Sequence, residues 1–469
     1  MPKLLRRNLV LQTDSYKFTH WKQYPPGTQF VYSYLESRGG MFEQTLFFGL
    51  QYYLLEYLNG QVVTEQDVYE AREFVDRHIG PGVFNFDGWM HIVRKLGGRL
   101  PVVIRAVAEG TLVDVQNVLM TIENTDPQCY WLPNYLETLL LKVWYPITVG
   151  TLSNAIRKIF LAALERSGDP SLIDFKLHDF GYRGVSSEET AGIGAAAHLI
   201  NFKGTDTVAG IRFLQQYYHS TDMEGFSIPA AEHSTIIAWG RDNELRAYDN
   251  MLTQFPTGLV AVVSDSYNVY EACEKLWGEM LHDKVLQRDG VLVVRPDSGY
   301  PRDVVLRVLE ILAKKFGYQS NAKGYRVLNP KVRVIQGDGV NYWTIQDTLT
   351  AMMRAGWSAD NISFGMGGAL LQQLNRDTQK FAFKTSAVTI NGEDHPVYKD
   401  PVEGHEKVSK RGRMALRRMS GRWSTQIVTN KHEDPRDLLR TVFKDGEVLV
   451  TQTVAEIREL AHHPERVAV

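Results

Sequence analysis

Residues 291–299, VLVVRPDSG, constrain the fold of this chain more than any other stretch. Four apolar β-formers in a row suit a strand covered on both faces, as in a parallel sheet. Pro296 has no N–H to give a ladder, so Arg295 and Asp297 leave the sheet at the end of that strand. An arginine fork suits phosphate and an aspartate oxygen suits Mg²⁺, so such a strand end has donors for both. A salt-bridged loop is the alternative reading of the same residues.

The pattern repeats. Apolar runs that end in polar or glycine-rich turns include FKLHDFG from Phe175, LVAVVSDS from Leu259, VRVIQGDG from Val332 and ISFGMGG from Ile362, with KGTDT and PAAEHS between them. Most are followed by a helix-like segment, at roughly the 30-residue interval of β-crossover-α units. This predicts an irregular α/β barrel over residues 151–389, with the active site at the carboxyl ends of its strands. Residues 1–150 read as the first part of an α+β domain: helical spacing from Gly49 to Arg77, strands from Leu100 to Thr121 around a Glu109-Gly110 turn, and a helix from Leu132 ended by Pro146. Residues 390–469, with short strands and charged turns, are expected to complete it.

Composition narrows the function classes. The 52 basic and 54 acidic residues balance, which gives no nucleic-acid or membrane signature. With 44% hydrophobic residues and two cysteines, Cys129 and Cys273, the chain has ample core and no disulfide framework. A reducing cytoplasm is the expected location. The opening MPKLLRRNLVLQTD lacks a long apolar run, and no membrane span is expected.

Taken in order, Thr13–Pro26 (TDSYKFTHWKQYPP) is an aromatic and polar surface feature rather than an amphipathic helix. Its aromatics either pack on the body or supply a stacking face for a flat ligand. Ser186 and Glu189 form a capping-box pattern for the next helix. Residues 192–197, GIGAAA, lie inside that helix rather than at a strand-to-helix turn, so they read as close packing and not as a dinucleotide fingerprint. No Walker A sequence is present. Asp206 follows a glycine turn, Glu232 stands beside His233, Asp265 ends a strand, and Asp338 sits in QGDG. Residues 365–369, GMGGA, feed a helix amino terminus, an arrangement that offers free N–H groups to phosphate. The basic run Lys407–Arg422 reads as a solvated face.

The segments TDSYKFTHWKQYPP, KLHDFGYRGVSS, NFKGTDTVAG, PAAEHST, VVSDSYN, RPDSG, VIQGDGV and GGALLQQLNRD, in this order and spacing, resemble the nicotinamide phosphoribosyltransferase family over nearly the whole chain. The resemblance implies transfer of phosphoribosyl from phosphoribosyl pyrophosphate to nicotinamide, with Mg²⁺, an ATP-dependent stimulation and a homodimer with shared active sites. By resemblance Phe180 stacks on one face of the pyridine, with Tyr16 of the partner subunit on the other. Arg183 neighbours ring and phosphate, Asp206 holds the carboxamide, and His233 takes phosphate from ATP. Arg295, Pro296 and Asp297 resemble the pyrophosphate and ribose segment, with Asp297 toward the metal. Gly337, Asp338, Gly367, Gly368 and Arg376 resemble the 5′-phosphate cradle. The implied catalytic set is His233, Asp206, Asp265 and Asp297.

Ala261 departs from the family, which carries serine there, so the carboxamide contact rests more heavily on Asp206. The GMGGA loop has fewer glycines than its family counterpart. The chemistry suits the set, because displacing pyrophosphate builds charge on the leaving group and oxocarbenium character on the ribose. The pyridine nitrogen is already a free nucleophile, so positioning outweighs a general base. The rival readings are a nicotinate phosphoribosyltransferase, a metal-dependent sugar-phosphate lyase and a barrel without enzymatic activity.

Overall fold

The computed structural model describes residues 7–400, 402, 408–419, 421–428 and 435–466. Its contacts divide the chain into two compact units, one of Leu152–Gln215 with Ser220–Leu374 and one of the remainder.

The 152–374 unit is built on β1 (Leu177–Asp179), β2 (Gly204–Thr205), β3 (Thr257–Val263), β4 (Asp289–Arg295), β5 (Val332–Gln336) and β6 (Ile362–Met366). These pair in parallel in the order β2-β1-β6-β5-β4-β3. Residues 226–230, in no named strand, bridge the two edges. Phe226 N–H donates to the Lys203 carbonyl (2.7 Å) and Thr205 N–H to the Phe226 carbonyl (3.0 Å), while Ala261 N–H donates to the Pro229 carbonyl and Ala231 N–H to the Ala261 carbonyl (2.9 Å each). The sheet therefore closes through a seventh, irregular stave, and closure leaves no long edge exposed.

Strand side chains alternate faces. On β1 this puts Lys176, His178 and Phe180 on one face and Leu177 and Asp179 on the other. The same period places Val293 with Arg295 and Asp297, Ile335 with Gly337, and Gly365 with Gly367. Ala261, Val293 and Ile335 form a buried cluster against which Phe180 and Ile228 pack, so this face is the barrel interior. Lys176, just before β1, is buried and donates to the Ala359, Asp360 and Ile362 carbonyls at 2.9, 3.1 and 2.9 Å. Burial brings its amine down to about 7, with Asp360 opposing and Arg333 adding.

In the other unit, seven antiparallel strands run in the order Glu393–Pro396, Phe381–Ile390, Thr28–Ser37, Val118–Asn124, Val102–Ala106, Arg440–Lys444, Glu447–Val448. Two hairpins follow from their turn residues. Asn391 and Gly392 (φ 49° and 84°), and Asp445 and Gly446 (φ 48° and 84°), take the left-handed pair that type I′ turns require.

Several local expectations shift. Phe381–Ile390 pairs along Thr28–Ser37, so the barrel unit ends at Leu374 and not at 389. Pro146 does not end a helix. It lies in the first turn of the 24-residue helix Trp144–Ser167, where a missing N–H costs nothing. The helix Glu188–Leu199 is capped by Ser187, which accepts from Thr190 N–H, one residue beyond the expected Ser186.

The basic run, of which Lys407 and Ser420 lie outside the described residues, is not simply solvated. Arg413 donates to both Glu123 oxygens at 2.5 Å and Lys410 pairs with Glu36. Residues 1–6 of the amino-terminal reading also lie outside the description. Among the described residues one helical stretch, Pro127–Ser167, is long and apolar enough to cross a membrane by length and composition. Its most apolar window is 67% buried inside the protein, the condition of a core helix.

Candidate active site

A cavity of about 700 Å³ opens at the carboxyl ends of the strands, lined by residues of the barrel unit alone. Arg295, at the end of β4, forks onto Asp297 two residues on, Nε to Oδ1 at 3.1 Å and Nη2 to Oδ2 at 2.7 Å. Pro296 between them keeps the segment out of the ladder. The Arg295 guanidinium also lies 5.3 Å from the centre of the Phe180 ring, within cation–π range.

Two glycines make room for this arrangement. A Cβ at Gly337 would stand 2.5 Å from Asp297 Oδ1, and one at Gly365 would stand 1.9 Å from Phe180 Cε2. Both sit at inward positions of neighbouring staves, so the space for ring and ion pair is written at two separate strand ends. Phe180 N–H donates to the Met366 carbonyl (3.0 Å), which ties the β1 exit to β6.

Asp206 follows β2, four strands from the β4 of Arg295 in the sheet order. Its Oδ1 accepts from His178 Nε2 (2.8 Å) and from the Ser227 hydroxyl. Both bonds fall on one oxygen, so Oδ2 remains to accept from a ligand. Burial works against the ionised carboxylate. The hydrogen bond and charge of His178, the Ser227 hydroxyl and Arg295 outweigh it and hold the carboxyl below its usual range.

His233 begins the helix His233–Ile237. Its Nε2 stands 2.9 Å from Asp265 Oδ1 and its Nδ1 3.9 Å from Asp297 Oδ2, and the ring is 43% exposed. One ring thus stands between two carboxylates, with the Asp265 side pinned and the other side open.

Of the residues singled out from sequence, Phe180, Arg183, Asp206, Glu232, His233, Arg295, Asp297, Gly337, Asp338 and Gly367 line the cavity. Asp265 stands behind His233, and Pro296 and Gly368 are not in the lining. Tyr16 and Arg376 belong to the other unit, where Tyr16 is 58% exposed and Arg376 pairs with its neighbour Asp377. Sequence reasoning passed over Tyr182 and Ser234, which also line the cavity, and His178 and Ser227, which position its residues; it read Gly365 as part of a phosphate turn and missed that it makes room for the Phe180 ring. His178 and Gly365 carry a legible signal, their two-residue spacing from Phe180 and Gly367. Ser227 carries none, because it lies on the irregular stave.

Fold and site define a parallel α/β-barrel enzyme whose polar mouth is furnished for phosphate-bearing ligands. The chain matches the nicotinate phosphoribosyltransferase (NAPRTase) family over residues 175–447, and the nicotinamide phosphoribosyltransferase N-terminal domain over 8–104. It is 50% identical to a nicotinamide phosphoribosyltransferase of Xanthomonas campestris pv. campestris (strain 8004), over 96% of this chain and 97% of the relative. It is 28% identical to one from Acinetobacter baylyi, over 97% of each. In fold it is similar to a nicotinate-nucleotide pyrophosphorylase from Pyrococcus furiosus (TM-score 0.61, 17% identity, 100% of this chain and 98% of that one). It is also similar in fold to human nicotinic acid phosphoribosyltransferase (TM-score 0.57, 17% identity, 97% and 94%). The chain belongs to the nicotinate phosphoribosyltransferase family.

Proposed function

We propose that this protein transfers the 5-phosphoribosyl group of phosphoribosyl pyrophosphate to nicotinamide, giving nicotinamide mononucleotide and pyrophosphate, a step of NAD formation. The observation that carries the reading is the convergence of an aromatic face (Phe180), a locked carboxylate (Asp206) and an Arg295–Asp297 clamp on one cavity. Phe180 supports the pyridine, and its face gains from the positive charge the ring acquires on reaction. Asp206 Oδ2 accepts from the carboxamide N–H₂. Arg295 turns its fork to the pyrophosphate, and Gly337, Asp338, Gly367 and Gly368 cradle the 5′-phosphate. Tyr16 of the partner subunit closes the ring pocket in a homodimer.

Mg²⁺ belongs to this reading. Asp297 is the carboxylate donor in this reading, since a Mg²⁺ ion takes one or two carboxylates with phosphate oxygens and waters. When bound it offsets the charge of the leaving pyrophosphate. His233, open on the Asp297 side, is the residue we assign to phosphorylation by ATP, and the added charge would help hold metal and pyrophosphate.

The nearest rival substrate is nicotinate. It would bring a carboxylate against Asp206, and two such charges about 4 Å apart repel by roughly 1 to 4 kcal/mol, a factor of about 5 to 1,000 in preference. Pyrophosphate release with phosphoribosyl pyrophosphate and each pyridine in turn tests the proposal. Turnover with nicotinamide at higher kcat/KM supports it, and preference for nicotinate or release with neither overturns it.

A further inference from the structure

The antiparallel-sheet unit gathers three side chains that no part of the transferase reading uses: His91, Asp126 and Cys129. Their ligand atoms all lie within 4.8 Å of one another. His91 comes from the helix Phe86–Leu96, and the other two from one turn. Asp126 caps the 3₁₀ turn Pro127–Cys129, its Oδ1 accepting from Gln128 N–H at 2.8 Å. The Asp126 carbonyl accepts from Cys129 N–H (2.9 Å) and from Asn124 Nδ2 (2.8 Å), so the backbone of the turn is pinned. Asp126 leads into this turn with extended backbone and Cys129 ends it, so one short segment supplies both the carboxylate and the sulfur.

We propose that these three side chains bind one divalent cation of the zinc class. Tetrahedral Zn²⁺ takes nitrogen and oxygen ligands at about 2.0 to 2.2 Å and sulfur at about 2.3 Å, which sets ligand separations near 3.5 Å. The His91 Nε2 to Asp126 Oδ2 distance is 2.8 Å, so that pair opens slightly while the sulfur swings inward by side-chain rotation. On binding, the thiol proton leaves to solvent and the sulfur lone pair enters the coordination shell. Thiolate and carboxylate together then balance the two positive charges. Sulfur selects zinc over Mg²⁺, which separates this site from the oxygen donors of the barrel mouth.

Cys129 is fully buried, whereas His91 and Asp126 keep 17% and 21% of their side-chain surface. His91 and Asp126 are thus the solvent-facing members of the set, and water would complete a tetrahedral shell. The bland alternative is that His91 only ties its helix to the Asp126 turn, in which case the sulfur has no part.

Cobalt is the probe that separates the two. Titrating Co²⁺ into chelator-treated full-length protein should give a thiolate-to-cobalt absorption that saturates at one equivalent, is displaced by Zn²⁺ and resists excess Mg²⁺. The absorption should vanish in Cys129→Ser and in His91→Asn, and survive in Cys273→Ser, since the chain has two cysteines. Zn²⁺ should also raise the thermal midpoint of wild type and not that of His91→Asn, a comparison that holds even where Cys129→Ser folds poorly. Absence of the band in wild type, its persistence in Cys129→Ser, or its loss in Cys273→Ser would overturn the assignment.

Discussion

Gly365→Ala places a methyl carbon 1.9 Å from Phe180 Cε2, 2.2 Å from Cδ2 and 2.7 Å from Cζ. Real carbon contacts need about 3.5 Å or more, so the ring or the backbone must move by an ångström or more. If the ring is held, overpacking costs roughly 1 to 3 kcal/mol of stability. If it swings aside, the aromatic face under the pyridine goes with it. That face is worth about 0.5 to 1.5 kcal/mol, or about 2- to 13-fold in binding. Misplacement of the ring by about 1 Å carries a further positioning loss of up to about 100-fold. We expect kcat/KM for nicotinamide to fall by roughly one to two orders of magnitude, within the sum of these effects. The double variant Gly365→Ala/Phe180→Ala removes the clash. It should be more stable than the sum of the single losses allows, and its kcat/KM should match Phe180→Ala alone. Initial rates and thermal midpoints for the four proteins complete the cycle. Wild-type kinetics and stability in Gly365→Ala, or strictly additive losses in the double variant, would refute the packing argument.

Asp206→Asn should narrow the preference for nicotinamide over nicotinate by weakening the first and relieving repulsion toward the second; an unchanged kcat/KM ratio would remove Asp206 as the discriminator. His233→Ala should lose ATP stimulation while keeping slow basal transfer, and intact-mass measurement after Mg-ATP should find one phosphate in wild type and none in the variant. Mixed Tyr16→Ala and Phe180→Ala subunits should recover part of the activity each lacks, and a fully active monomer in sedimentation would exclude a shared site. Lys176, with its amine at about 7 in the folded chain against an ordinary 10.5, is bound to be pH-sensitive. Between those values the unfolded chain holds the extra proton, so the penalty is full below pH 7 and is relieved as pH rises. The urea midpoint of wild type should gain on that of Lys176→Met between pH 7 and 9, and parallel midpoints would contradict the burial argument.

What could be read from the chain alone is what local chemistry dictates. Apolar β-formers ended by Pro296 and a charged pair specify a buried strand and its polar exit. The two-residue period then says that Arg295 and Asp297 share a face, and the same holds for Gly337 and for Gly367 in their own strands. The Asn391-Gly392 and Asp445-Gly446 hairpins are equally local, since left-handed backbone is cheap for those residues.

Tertiary structure alone decided which of these local faces meet. The stave 226–230 has no strand pattern and is held by backbone bonds to β2 and β3, so Ser227 reached Asp206 without any signal in its own neighbourhood. Gly365 is required only because a ring on the adjacent strand occupies the space its side chain would fill. The end of the barrel at Leu374 follows from the pairing of Phe381–Ile390 with Thr28–Ser37, more than 300 residues away in the chain. His91 likewise meets Asp126 and Cys129 only after its helix has docked on the turn. Short-range patterns are set by sterics within a few residues, whereas these contacts depend on how separate elements pack, which no local spacing encodes.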